Sequence, residues 1–307
     1  MKRKLALLLS LALVLTGLTA CKSTEKEVDN QLEKGEITVG KEISKKVPER
    51  TIAGTVAIVE MLDLLGIEMI GVPESGYLLP ESCKDAEKIG KPMNPDIEII
   101  KSLDPDMFIS VSSLQGDLEK KLDNSNIDSL FIDNDSYDNL LTSIKKLGEL
   151  YDKEKEAENF INEVDSKVEE ILKSVKEKNP RVMILFGSPK NIMIATNKSF
   201  VGSLVKELGG INIANEIEDF KDSYVPLSME DVLKLQPDII LRFTHANPED
   251  SKKMFEKEFS ENPIWQNFEA VQNEKVYDLD NEYFGVSGNI RIAQAIEILS
   301  NLLYEID

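Results

Sequence analysis

Ile99-Ile100-Lys101-Ser102-Leu103-Asp104-Pro105-Asp106-Met107-Phe108-Ile109 and Asp231-Val232-Leu233-Lys234-Leu235-Gln236-Pro237-Asp238-Ile239-Ile240-Leu241 are two versions of one pattern. Each is a helix end, an x-Pro-Asp turn and then an apolar strand. A unit that recurs implies two lobes of similar α/β architecture. Because helix, Pro-Asp turn and strand is also a common connection in undivided α/β chains, the repeat needs support from what lies between its copies.

That support is a long helix. From Ala157 the apolar residues fall at Phe160, Ile161, Val164, Val168, Ile171, Leu172 and Val175, the i, i+3, i+4, i+7 stripe of an amphipathic helix. Lys173, Lys176 and Lys178 suit its negative C-terminal end, and Asn179-Pro180 stops it. Residues 153–179 therefore read as a linking helix, roughly 35 Å long at 1.5 Å per residue, between an N-terminal lobe (38–152) and a C-terminal lobe (180–307). Strands are expected near Thr51 to Thr55, Glu68 to Val72, Met107 to Val111 and Ser129 to Asp133 in the first lobe. In the second they fall near Val182 to Phe186, Ile192 to Ala195, Ile239 to Phe243 and Lys275 to Leu279, with a closing helix from Ile290 to Tyr304. Alternating strand and helix implies parallel sheets covered on both faces. The expected fold class is α/β, two Rossmann-like lobes with parallel sheets joined by one long linking helix.

Further out, the N-terminus states an address. Lys2, Arg3 and Lys4 precede an apolar run from Leu5 to Leu18, and Leu18-Thr19-Ala20-Cys21 closes it with small residues before a cysteine. This is the pattern of a bacterial lipoprotein signal peptide over residues 1–20. The run is shorter than the roughly 20 residues that span a bilayer. Cys21 would carry lipid, with two or more acyl chains anchoring it firmly. Residues 21–37, polar and without apolar period, read as a tether reaching on the order of 20 Å. The expected location is the extracellular face of the cell membrane, lipid-anchored.

Composition narrows the partners. The net charge is −20, and loss of Lys2, Arg3 and Lys4 makes the mature chain more acidic still. Such a chain does not seek nucleic acid or an anionic membrane surface. Once Cys21 is acylated, Cys83 is the only cysteine, so no intrachain disulfide and no cysteine-based zinc site can form. Cys83 is expected to be a partly buried bystander.

The single histidine, His245, follows the strand Ile239 to Phe243 and precedes a helix opened by Asn247 and Pro248. That is the carboxyl edge of a parallel strand, where open α/β sheets bind ligands. Met93 stands between Pro92 and Asn94-Pro95, just before the helix Asp96 to Leu103. The N-terminus of such a helix lies at the same edge, so Met93 and His245 are expected to project from equivalent edges of two lobes and to meet in one cleft if the lobes face each other. A catalytic apparatus is missing: there is no second histidine, no Ser/His/Asp set and no phosphate loop. Gly209-Gly210 and Gly285-Val286-Ser287-Gly288 are helix-end and loop glycines. Ser228-Met229-Glu230-Asp231 reads as a capping box opening a helix.

At these residues the chain resembles a known family, the haem-binding lipoproteins of Gram-positive iron-regulated surface (Isd) uptake systems. The likeness runs from about Arg50 to Tyr304. Its most specific stretches are Ile89-Gly90-Lys91-Pro92-Met93-Asn94-Pro95, Ile239-Ile240-Leu241-Arg242, His245 through Lys252-Lys253-Met254-Phe255, and Val276-Tyr277-Asp278-Leu279 followed by Phe284-Gly285. Thr244-His245-Ala246-Asn247 and Glu74-Ser75-Gly76-Tyr77 depart from the family pattern. The resemblance implies a class III substrate-binding protein that is not an enzyme. Its ligand would be haem b, with Met93 and His245 as axial ligands to the iron. It also implies delivery to an ABC permease with its ATPase, receipt from an upstream surface haem-relay protein, and a monomeric state. The permease-docking role falls on Glu230 in the second lobe and on Asp117 or Glu119 in the first. Two alternatives keep their place at this stage: the same transport role with a ferric siderophore or cobalamin, and a surface enzyme that modifies haem.

Overall fold

Asp106 and Asp238 build the same turn twice. Asp106 accepts the backbone N–H groups of Glu49 and Arg50, both at 2.9 Å, and Asp238 accepts that of Arg181 at 2.8 Å. In return the carbonyl of Arg50 takes the N–H of Asp106 (3.1 Å) and that of Arg181 takes the N–H of Asp238 (2.7 Å). The Arg50 side chain donates to the carbonyls of Leu103 and Asp104, and the Arg181 side chain to that of Leu235 at 2.7 Å. These carbonyls end the helices Ile97–Ser102 and Met229–Leu235, where they have no partner inside the helix and where a cation suits the dipole. Asp104 and Gln236, each just before its proline, both have a φ of 47°. The duplication therefore extends to backbone conformation and to two arginines that lie outside the quoted repeat.

The computed structural model describes residues 38–39, 46–76, 78–122, 127–175, 179–188, 191–226, 228–244 and 248–305. The signal peptide, Cys21, the tether, Tyr77 and His245 lie outside the described residues. The first sheet runs in the order Thr38–Val39, Asp128–Ile132, Met107–Val111, Thr51–Ala53, Met69–Val72, Glu87–Lys88. All its neighbours are parallel except the edge pair Thr38–Val39 with Asp128–Ile132. Met107, Phe108, Ile109 and Ser110 are all buried, as a strand covered on both faces requires.

The second sheet corrects the expectation of parallel strands. Its order is Tyr224–Pro226, Ile192–Ala195, Arg181–Gly187, Ile239–Thr244, Val276–Asp278. Among these described strands only Ile192–Ala195 is reversed, running antiparallel to both its neighbours, while the last three pair in parallel and Ile211–Asn212 pairs parallel to Arg181–Gly187 off this path. The cause is the connection Ser188 to Asn191, whose ends exchange backbone hydrogen bonds of 2.9 and 3.3 Å. A link that short can only return the chain, since a parallel crossover needs a dozen residues or more.

The linking helix spans Glu154–Ser174, 21 residues, shorter than the expected 153–179. Val175 turns to extended backbone and packs on the core, and the Ser174 hydroxyl donates back to the Ile171 carbonyl at 2.7 Å. Its buried stripe of Ala157, Phe160, Val164, Val168 and Ile171 lies against the helices Tyr137–Leu150 and Ile292–Tyr304. One apolar cluster contains residues of both lobes, including Leu140 and Ile144 from the first and Phe200, Val201 and Leu204 from the second. Polar bonds cross the same junction. The Tyr137 N–H donates to Ser203 Oγ (2.8 Å), and Asn134 and Gly288 exchange bonds of 2.9 and 2.6 Å. Gly288 is needed there, because a Cβ would stand 2.7 Å from the Phe200 ring and 3.0 Å from Leu140. Among the described residues no helix is long and apolar enough to cross a membrane.

Candidate functional site

The carboxyl ends of the central strands leave a gap between the lobes. In the first lobe the strand Thr51–Ala53 passes through Gly54 to Thr55, which caps the helix Val56–Leu64 by accepting the Ile58 N–H. Gly54 allows that tight entry, since a Cβ would lie 2.8 Å from the Phe108 ring. The helix start then presents Val56, Ala57 and Glu60 to the gap, with Leu78 beside them. From the second lobe come Arg242, Phe243 and Thr244 at the end of Ile239–Thr244. Glu249, Lys252 and Phe255 follow at the start of Pro248–Glu261, and the segment Asp278 to Arg291 completes the wall. The cavity measures about 830 Å³, within the roughly 300–1,000 Å³ of small-molecule sites. It lies where open α/β sheets bind ligands.

Its charges are mostly spoken for. Arg242 grips Asp278 through two bonds of 2.7 Å, with its guanidinium 4.8 Å from the Phe259 ring centre and 5.4 Å from that of Phe255. Bidentate pairing and cation–π contact together fix a planar cation. Arg291 crosses between lobes to Glu60 at 2.7 Å and also approaches Glu282 at 3.8 Å. Glu60 is only 8% exposed, and a buried carboxylate without a partner is strongly destabilising. The same hydrogen bond raises the Arg291 guanidinium further above its ordinary range. The Thr244 hydroxyl donates to Asn281 Oδ1 at 3.2 Å, tying the strand end to the facing loop. Behind Phe243 stand Phe186, 5.2 Å away, and Tyr224, 6.2 Å away. The Tyr224 hydroxyl is buried without a hydrogen-bond partner among the described residues, and burial followed by the charge of Asp135 raises it above its ordinary range.

Met93 occupies the turn of a two-stranded hairpin, Gly90–Lys91 with Asn94–Pro95. The hairpin is fastened to the carboxyl end of Met69–Val72: the Ile89 N–H donates to the Val72 carbonyl (3.0 Å) and the Glu74 N–H to that of Gly90 (2.8 Å). The edge is the one the sequence suggests, but Met93 is not part of the cavity wall. The hairpin carries it past the sheet, and its side chain is 75% exposed. Its carbonyl accepts a bond from Lys121 at 3.4 Å. Leu78, 98% exposed, leaves the same edge and does line the cavity. His245 lies outside the described residues, between Thr244 and Glu249, both of which line the cleft.

Glu230 stands in the first turn of Met229–Leu235, its side chain 82% exposed and bonded to Lys234 at 2.9 Å. The capping box expected at Ser228 does not form. Ser228 holds the N-cap position, but its exposed hydroxyl makes no cap bond, and both Glu230 and Asp231 turn to Lys234. Asp117 is exposed in the first turn of Gln115–Leu122, and Glu119 accepts from Gln115 Nε2 at 2.8 Å. Cys83 is more buried than expected, 3% exposed within the first-lobe core. No group of three or more potential metal ligands occurs among the described residues. The sequence reading gave no place in the site to the segment Asp280 to Arg291. Its glycines Gly285 and Gly288 look like ordinary loop glycines, yet both line the cleft. The available signal was a long connection leaving the carboxyl end of a parallel strand.

A family model for periplasmic binding proteins matches residues 52–283. The chain is 38% identical over 268 residues to the high-affinity heme uptake system protein IsdE of Staphylococcus aureus (strain bovine RF122 / ET3-1), covering 86% of this chain and 90% of that protein. The crystal structure of S. aureus IsdE complexed with heme superposes with a TM-score of 0.75 at 36% identity, over 83% of this chain and 98% of that one. An ABC transporter substrate-binding protein from Listeria monocytogenes EGD-e gives 0.78 at 37% identity, over 85% and 100%. The chain belongs to the periplasmic binding protein family.

Proposed function

We propose that this binding protein takes up haem in the interlobe cleft, with Met93 and His245 as axial ligands, and hands it to an ABC permease without transforming it. The observation that carries the reading is the extent of likeness to IsdE, more than a third identical across nearly all of both chains. The physical support is local. Leu78 and Met93 are large apolar side chains left in water at one sheet edge, and covering each is worth on the order of 1.5–3 kcal/mol. Haem offers a broad apolar face to do so, and Met/His ligation is a familiar axial pair that raises the iron potential. A ferric ion already wrapped by a siderophore has no coordination position for a thioether, which sets that alternative behind. The test is the absorption spectrum of purified protein mixed with haemin. A saturating Soret shift is expected, and its absence would remove haem as the ligand.

The remaining parts follow from the same reading. Glu230, with Asp117 or Glu119, would face the permease and its ATPase. Cys21 would hold a monomer at the outer membrane face by its lipid, where an upstream surface protein delivers haem. Cys21→Ala should release the protein from the membrane, and Glu230→Ala should lower uptake at unchanged haem affinity. Retention of the first variant in the membrane fraction, or a tenfold affinity loss in the second, would reverse the respective assignment.

A further inference from the structure

Among the described residues three cations line the cleft, and two are committed. Arg242 is held by both oxygens of Asp278, and Arg291 by Glu60 and Glu282. Lys252, exposed near the start of Pro248–Glu261, makes no ion pair among the described residues. Its surroundings offer one: Glu249 lies three residues earlier on the same helix and also faces the cleft. The neighbouring Lys253 does pair in this way, with Asp250 at 3.9 Å. Lys252 stands just past the first turn of its helix, which carries the acids Glu249 and Asp250. In a chain of net charge −20, Lys252 is a cation at the cleft wall that has no structural partner among the described residues.

We propose that Lys252 is the anion anchor of the cleft and takes a peripheral carboxylate of the ligand. Resting on the haem reading, that carboxylate is a propionate of the tetrapyrrole. A flexible lysine serves as a point charge for a carboxylate that stays partly in water, where bidentate geometry is not needed. The two arginines are poorer candidates. To bind a propionate, Arg291 must release Glu60, which leaves a buried charge unpaired, and Arg242 must release Asp278. With Lys252 as anchor, the carboxylate edge of the macrocycle points to the side of the cleft formed by Pro248–Glu261.

The test compares haemin with haemin dimethyl ester, whose carboxylates are masked, on the full-length wild type, Lys252→Gln and the control Lys253→Gln. Wild type and control should prefer haemin by about fivefold, the scale of an exposed charge pair, and added salt should shrink that preference. Lys252→Gln should bind the two alike, near the affinity of wild type for the ester. If Lys252→Gln keeps the preference, or wild type shows none, the anchor is not Lys252 even though haem binds. If haemin does not bind wild type at all, the haem reading falls and this assignment with it.

Discussion

Met93 has its thioether in solvent, and that makes it a clean position to alter. Removing an exposed side chain with no core contact should change stability by no more than roughly 0.5 kcal/mol, so a spectral change on Met93→Ala would report ligation and not unfolding. With both axial ligands present the reduced haem complex should be six-coordinate and low-spin. His245→Ala should lower affinity more than Met93→Ala, because imidazole is the stronger donor and the chain has no other histidine. Met93→Ala should chiefly lower the reduction potential, since thioether ligation favours ferrous iron. Cys83, close to Met93 in sequence, is packed in the first-lobe core and leaves no exposed thiol to replace the thioether. Spectra of both variants in both oxidation states decide this, and a double variant with the wild-type low-spin spectrum would show that neither residue binds iron. The exposure of Met93 was legible because a methionine between prolines has little core to fill. Arg50 and Arg181 were not, because an arginine at a strand start looks the same whether it faces water or closes a neighbouring helix.

Helix starts show how far a local pattern carries. Ser136-Tyr137-Asp138-Asn139 and Ser228-Met229-Glu230-Asp231 both place a serine at the N-cap with an acid in the first turn. Only the first forms the bond: Ser136 Oγ accepts the Asn139 N–H at 3.2 Å, while Ser228 makes no cap bond. The backbones differ as well, with ψ of 168° at Ser136 and 101° at Ser228. Ser136→Ala should therefore cost about 1 kcal/mol, and Ser228→Ala less than about 0.5 kcal/mol. Urea unfolding of the two variants measures both, and equal losses would contradict the difference in capping. The strands were easier to place than to orient. Met107–Val111 and Ile192–Ala195 fall at the positions their apolar runs mark, because burial on both faces leaves a continuous apolar signal. Direction is not in that signal. For Ile192–Ala195 it came from the length of the link after Gly187, and for the linking helix the end came from Val175 joining the core before Asn179-Pro180 was reached.

At the scale of the molecule, the two lobes are joined by more than their helix, and a group beside the joint titrates. The bonds between Asn134 and Gly288 connect residues 154 positions apart, so nothing in the local sequence Asp133-Asn134-Asp135 distinguishes it from a solvated acidic loop. In the fold, Asp135 is partly buried beside that junction. Burial foremost, then the hydrogen bond and charge of Asp133, push its carboxyl up to about 7, against the help of Asn139. The groups facing it are Asp133 and Asn139 from its own lobe and the Tyr224 hydroxyl from the other. An unfolded aspartate titrates near ~3.9, so between about 4 and about 7 the folded protein holds a proton that the unfolded chain has lost. The stabilisation from that proton is complete below the unfolded value. It declines as pH rises through the window and is gone above about 7. Asp135→Asn keeps a neutral group at every pH, so its stability relative to wild type should rise from pH 5 to pH 8, by less than the full shift implies because the site is partly open to solvent. Urea unfolding of both proteins at the two pH values is the measurement. A difference between them that does not change with pH would mean that Asp135 is already ionised in the folded protein and that Asp133 and Asp135 share no proton at the lobe junction.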